Sequence, residues 1–145
     1  MRQRRLVVGG IIVDDLSAPT SVLGARRSAP EELRGLWEFP GGKVEEDESA
    51  RHALARELRE ELAVSVTVGA ELRHPDGAWP ISDTHELRLF WVEVSDGVPV
   101  AGVAHDELRR LDSATLTSVP WLPADAAAVD AVADVLRGGA RNLID

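Results

Sequence analysis

Three carboxylates carry the first chemical signal. Residues 56 to 61 read Arg-Glu-Leu-Arg-Glu-Glu, and on a helix separations of three and four positions put Glu57, Glu60 and Glu61 on one stripe. Leu54, Leu58 and Leu62 form the neighbouring stripe, so the leucines go to a core and the acids sit at its edge. Glu57 and Glu61, one turn apart, repel each other. Arg56 and Arg59 offset part of this. On these residues alone two readings stand: a solvated helix whose charges keep it soluble, or an oxygen-rich site for Mg²⁺ or Mn²⁺. Gly41-Gly42 upstream adds bare backbone that brings a carbonyl close to such an ion. The chain has 145 residues, with 25 acidic against 16 basic side chains and a net charge of −9. That balance leaves no electrostatic footprint for a nucleic acid polymer or an anionic membrane. A protein so charged that handles phosphates needs a cation as intermediary.

Spacing outward from the acids narrows the choice. Gly42 is followed by five residues and Glu48, then by seven residues and Arg56-Glu57-Leu58-x-Glu60-Glu61-x-Ala63-Val64. This stretch, 42 to 64, resembles the Nudix box, Gly-x5-Glu-x7-Arg-Glu-U-x-Glu-Glu-x-Gly-U, where U is bulky and aliphatic. Six of the seven fixed residues match, a coincidence of order 10⁻⁶ per starting position from average composition. The departure is Ala63, where the family has Gly. A helix ends there, and a Cβ in the left-handed conformation costs about 1 kcal/mol. Stability is affected more than chemistry. The approach Leu36-Trp37-Glu38-Phe39-Pro40-Gly41-Gly42-Lys43-Val44, the pair Arg26-Arg27 and the late Trp121-Leu122-Pro123-Ala124-Asp125 extend the resemblance to the MutT-type branch.

The resemblance implies an α/β/α sandwich built on a mixed sheet. It also implies hydrolysis of a nucleoside diphosphate linked to another group, which in the MutT-type branch means a nucleoside triphosphate cleaved to monophosphate and pyrophosphate. Glu57, Glu60 and Glu61 with the Gly41 carbonyl would hold Mg²⁺, with Mn²⁺ as the substitute. Glu57 would also orient or deprotonate the attacking water, Glu48 would support the metal shell through water, and Arg56 would fix the carboxylates. Arg27 and Lys43 would meet substrate phosphate. Asp125 stands where the branch places an Asn that reads the base, and a carboxylate only accepts, which leaves (d)CTP and 8-oxo-dGTP both open. Trp79, in a Pro/Gly-rich loop, is a candidate to stack on the base. The branch has a further metal-binding Glu late in the chain; Leu108-Arg109-Arg110-Leu111 occupies that stretch, with Asp106 or Glu107 as substitutes. The alternatives are hydrolysis of ADP-ribose, a nucleotide sugar or a dinucleotide, and a non-catalytic nucleotide-sensing module. His52, His74, His85 and His105 show no ligand spacing that supports a zinc site. The expected partner is a small nucleotide, with no polymer and no membrane, and the chain a monomer or homodimer.

The elements that must position these residues read as a mixed α/β domain. Leu6 to Val13 is a Val- and Ile-rich strand, and Ser21 to Arg26 a second that pairs with it. Arg2, Arg4 and Arg5 before the first run imitate a secretory signal, but Gly9-Gly10 and the closing Asp14-Asp15 suit a buried strand. Trp37 to Phe39 is a strand stub ending in a Pro-Gly-Gly turn. Ser49 to Leu62 is the clearest helix, with Glu45 to Glu48 at its positive end. Val64 to Val68 and Leu87 to Val94 are strands around a loop with Pro75, Gly77 and Pro80, His105 to Leu111 is ambiguous, and Pro123 to Leu136 is a helix stopped by Gly138-Gly139. Cysteine is absent, so disulfides, thiolate sites and cysteine nucleophiles are excluded, and a reducing cytoplasm is the expected compartment. No repeat or linker divides the chain, so one domain over 1–145 is expected.

Overall fold

The apolar run at residues 6 to 13 forms β1 (Arg5–Val13), the middle of the sheet in the computed structural model, which describes residues 5–138 and 142–144. Arg2, Arg4 and Gly139, used in the sequence reading, lie outside those residues. β1 pairs antiparallel with β2 (Ser21–Arg27) and parallel with β7 (His85–Asp96). β3 (Trp37–Glu38) and β8 (His105–Asp112) lie on β2, while β5 (Ser65–Leu72) and β6 (Trp79–Pro80) lie on β7. The main path runs β3-β2-β1-β7-β5. His105 to Leu111, undecided by its periodicity, is thus a strand, and its partner is β2.

Alternation along β1 sends Val8 and Ile12 to one face and Ile11 and Val13 to the other. On the first face α1 (Ala50–Leu62) buries Leu54, Leu58 and Leu62 against Phe90 and Val92. On the second, α2 (Pro123–Arg137) packs Ala128, Val129 and Val132 among Leu89, Trp91 and Leu111. This is the expected α/β/α arrangement of a mixed sheet between two helices. Pro123 opens α2, where its missing N–H would have had no partner. The Ser49 side chain caps α1 by accepting from the His52 amide at 3.1 Å. Glu48, directly before that cap, accepts from Arg56 at 2.7 Å. Ala63 closes α1 in the left-handed region, φ 61° and ψ 37°, its amide donating to the Arg59 carbonyl at 3.1 Å.

The Pro-Gly-Gly segment corrects the sequence reading. It is not a free turn but leads into a third contact of β1: β4 (Gly41–Lys43) runs antiparallel along it, pairing Gly41 with Gly9 and Gly42 with Val8. Among the described residues no helix is long and apolar enough to cross a membrane.

Candidate active site

The pairing of β4 with β1 places Gly42 beside α1. A Cβ there would land on the Glu57 carboxylate, and one on Gly41 would strike the Val8 carbonyl oxygen. Glycine at 42 therefore opens the space that Glu57 enters. Arg56, next on the helix, gathers the other acids. Its Nε and Nη2 donate to the Glu48 carboxylate at 2.7 and 2.9 Å, and its Nη1 to Glu57 at 3.0 Å and Glu60 at 3.3 Å. Nη2 also donates to the Lys43 carbonyl at 3.2 Å, tying helix to β4.

This arrangement splits the carboxylates electrostatically. The Arg56 guanidinium draws the Glu48 carboxyl down to about 2. Burial pushes Glu57 up, against the opposing pull of Arg56. Burial pushes Glu61 up to about 7, partly countered by His105, and its Oε2 is buried with no hydrogen-bond partner. Among the described residues no three His, Asp or Glu side chains stand close enough to enclose an ion, and Arg56 holds Glu48, Glu57 and Glu60. The donors nevertheless fit a divalent cation: an orphaned buried carboxylate oxygen on Glu61, a second half-buried carboxylate on Glu57, and no Cβ on Gly42 to block it.

Along β4 lies a cleft of about 420 Å³, walled by Phe39, Leu87 and Leu122 and bordered by Arg27, Glu38, Lys43 and Asp125. The chain entering α2 is fastened to β3: the Trp37 amide donates to the Pro120 carbonyl and the Leu122 amide to the Trp37 carbonyl, both at 2.8 Å. That clamp brings Asp125, in the first turn of α2, into the cleft. Asp125 is 5% exposed and accepts from the Phe39 amide at 3.4 Å. Burial, reinforced by the charge of Glu38, pushes its carboxyl well above the usual range. Arg27 pairs with Glu38 at 3.2 Å and donates to the Ala29 carbonyl at 2.8 and 2.6 Å.

Two sequence expectations are corrected. Trp79 is 5% exposed, its Nε1 donates to the Leu72 carbonyl at 2.9 Å, and it does not line the cleft. It is a core residue of β6, buried because that pair of residues joins the sheet. Asp106 and Glu107 do not approach the acids of α1: Asp106 accepts from Arg26 at 2.7 Å, and Glu107 pairs with Arg26 at 3.3 Å and Arg109 at 2.6 Å. Their neighbour His105 does approach, lining a smaller concavity of about 230 Å³ with Glu57, Glu60 and Glu61. No local spacing signals this, because His105 reaches α1 through the pairing of β8 with β2.

A model of the NUDIX domain matches residues 3–142. The chain belongs to the NUDIX family. It is 38% identical over 139 residues to a Mycobacterium tuberculosis protein named "Putative 8-oxo-dGTP diphosphatase 2", covering 96% of this chain and 95% of that one. It is 46% identical over 89 residues to the CTP pyrophosphohydrolase of Escherichia coli, covering 54% of this chain and 63% of that one. Among solved structures, the E. coli ORF135 protein superposes with a TM-score of 0.71 at 36% identity, covering 90% and 89% of the two chains. A MutT structure, from work on Aliivibrio salmonicida and Vibrio cholerae, gives 0.68 at 30% identity over 94% and 99%. This Nudix protein is therefore a hydrolase of phosphoric anhydrides in a family that takes small nucleotides and uses divalent cations.

Proposed function

We propose that this Nudix hydrolase cleaves a nucleoside triphosphate to monophosphate and pyrophosphate with Mg²⁺ as cofactor, the base being cytosine or 8-oxoguanine. The observation that supports this best is an apolar cleft, with Asp125 at its border, whose wall includes Gly41 and Gly42, the second of which packs against the Glu57 carboxylate of α1. A nucleotide then spans from base cleft to acids across Gly41 and Gly42. Asp125, whose burial favours its protonated form, presents in that form one donor and one acceptor. Cytosine offers the complement at N3 and its amine, and 8-oxoguanine offers it at O6 and the N7–H created by oxidation. Unmodified guanine has two acceptors on that edge and does not fit.

Glu57, Glu60, Glu61 and the Gly41 carbonyl are the residues that would hold the cation, which when bound neutralises phosphate oxygens and activates water. Glu57 orients the attacking water and takes its proton. Arg56 keeps the carboxylates aligned, and Glu48 anchors Arg56. Arg27 and Lys43 at the cleft border receive phosphate. The test is a hydrolysis panel with Mg²⁺ over CTP, dCTP, 5-methyl-dCTP, dGTP, 8-oxo-dGTP and ADP-ribose, resolving monophosphate, pyrophosphate and orthophosphate. Monophosphate plus pyrophosphate from a cytosine or 8-oxoguanine nucleotide is expected, with Glu57→Gln, Glu60→Gln or Glu61→Gln each lowering turnover about a hundredfold or more in protein of unchanged circular dichroism. Turnover confined to ADP-ribose overturns the substrate class. Binding without turnover identifies a sensing module instead.

A further inference from the structure

His105 is buried at both ends of its ring and satisfied at only one. Its side chain is 1% exposed, and its Nε2 lies 2.6 Å from Glu38 Oε2, which also accepts from Arg27. With Nε2 against the Glu38 carboxylate, Nδ1 is the ring nitrogen left facing the pocket, and in the tautomer protonated at Nε2 its lone pair can bind a cation. That Nδ1 has no hydrogen-bond partner, and no solvent reaches it. The second buried side-chain atom without a partner is Glu61 Oε2, and both residues line the concavity that also holds Glu57 and Glu60. A ring nitrogen and a carboxylate oxygen, both without partners on residues that line one concavity, can each be satisfied by an electron-pair acceptor bound there, and a divalent cation is one.

We propose that His105 Nδ1 is a nitrogen donor to the divalent cation held by Glu57 and Glu61, so that the site binds Mn²⁺ or Co²⁺ more tightly than the Mg²⁺ that also serves it. The proposal rests on the cation site described under the proposed function. Metal-bound imidazoles characteristically donate their other N–H to a carboxylate, which fixes tautomer and ring direction, and Glu38 occupies that role here. Mg²⁺ keeps to oxygen donors and water, whereas imidazole raises affinity along the series from Mn²⁺ to Co²⁺. The acids flanking His105 are spent on Arg26 and Arg109, so the imidazole is what β8 contributes. Glu38 also borders the base cleft, so the Glu38–His105 contact links the base site to the cation.

The deciding experiment is electron spin-echo envelope modulation of the full chain loaded with Mn²⁺ alone. Wild type is expected to show ¹⁴N modulation that turns into the ¹⁵N pattern when only histidine is labelled. His105→Gln removes the modulation and raises the Mn²⁺ Kd about tenfold or more, while the Mg²⁺ Kd changes less than about threefold. The competing nitrogen is His52, 76% exposed with its Nδ1 3.8 Å from Glu48, and His52→Gln is expected to keep the signal. If His105→Gln does not fold, labelled His52→Gln protein carries the test, because His74 and His85 line neither cavity. Bound Mn²⁺ without ¹⁴N modulation, or modulation lost with His52, overturns the role of His105 and leaves the carboxylate site standing. No saturable Mn²⁺ binding, or binding indifferent to Glu57→Gln and Glu61→Gln, overturns both.

Discussion

Asp125 shows how one side chain ties stability to recognition. Its carboxyl sits in a nearly closed position with the Phe39 amide as a donor and the charge of Glu38 nearby. The folded protein therefore holds this proton above the pH at which the unfolded chain releases it. Stability falls as pH rises from the ordinary carboxylate range through the raised value, and levels off beyond it. Asparagine keeps the acceptor for Phe39 and has no proton to lose. Asp125→Asn is thus expected to melt above wild type, with a gap smallest at pH 4 and growing toward pH 8 in thermal melts followed by circular dichroism. A gap independent of pH would show that Asp125 does not carry the titration.

At the scale of elements, two neighbouring glycines separate activity from folding. A Cβ on Gly42 meets only the far end of the Glu57 side chain, whereas one on Gly41 meets the backbone of Val8. Gly42→Ala is expected to fold and melt near wild type while losing most turnover, because the carboxylate must move. Gly41→Ala is expected to break the pairing of β4 with β1 and cost about 2 kcal/mol or more in denaturant unfolding. The opposite change serves α1: Ala63→Gly removes a Cβ from a left-handed residue, adding about 1 kcal/mol, or about 3 °C in Tm. α1 and its left-handed end were legible because their signals are local: acids and leucines three and four apart, and an Ala where a helix stops. β4 was not, because Pro40-Gly41-Gly42 carries turn chemistry, and only the approach of β1 makes it a strand. Trp79 misled for the same reason, since the Pro/Gly composition of its loop says nothing of β7 waiting to pair with it. His105 lay beyond reach altogether: its partner Glu38 and its pocket neighbour Glu61 are 67 and 44 positions away in sequence.

In the whole molecule, the sheet touches both the cleft and the acids. α1 carries the carboxylates on one face, and α2 brings Asp125 to the cleft from the other. A cation bound at Glu57 and Glu61 therefore stabilises more than α1, since β1 and β4 run under both sites. It also relieves like charges that the fold otherwise holds together, in a chain of net charge −9. At a hundredfold excess over its Kd, a ligand that binds only the folded state adds about 2.7 kcal/mol, which for a chain of this size raises Tm by about 5–10 °C. Mg²⁺ or Mn²⁺ is expected to give such a rise over metal-stripped protein, measured against sodium chloride of equal ionic strength to remove general screening. In Glu61→Gln the rise is expected to shrink to the sodium control, while the metal-free Tm rises slightly because a buried, repelled carboxylate is gone. Equal shifts in wild type and Glu61→Gln would mean that the cation acts through the acidic surface as a whole, and the concavity between α1 and β8 would lose its claim to be the metal site.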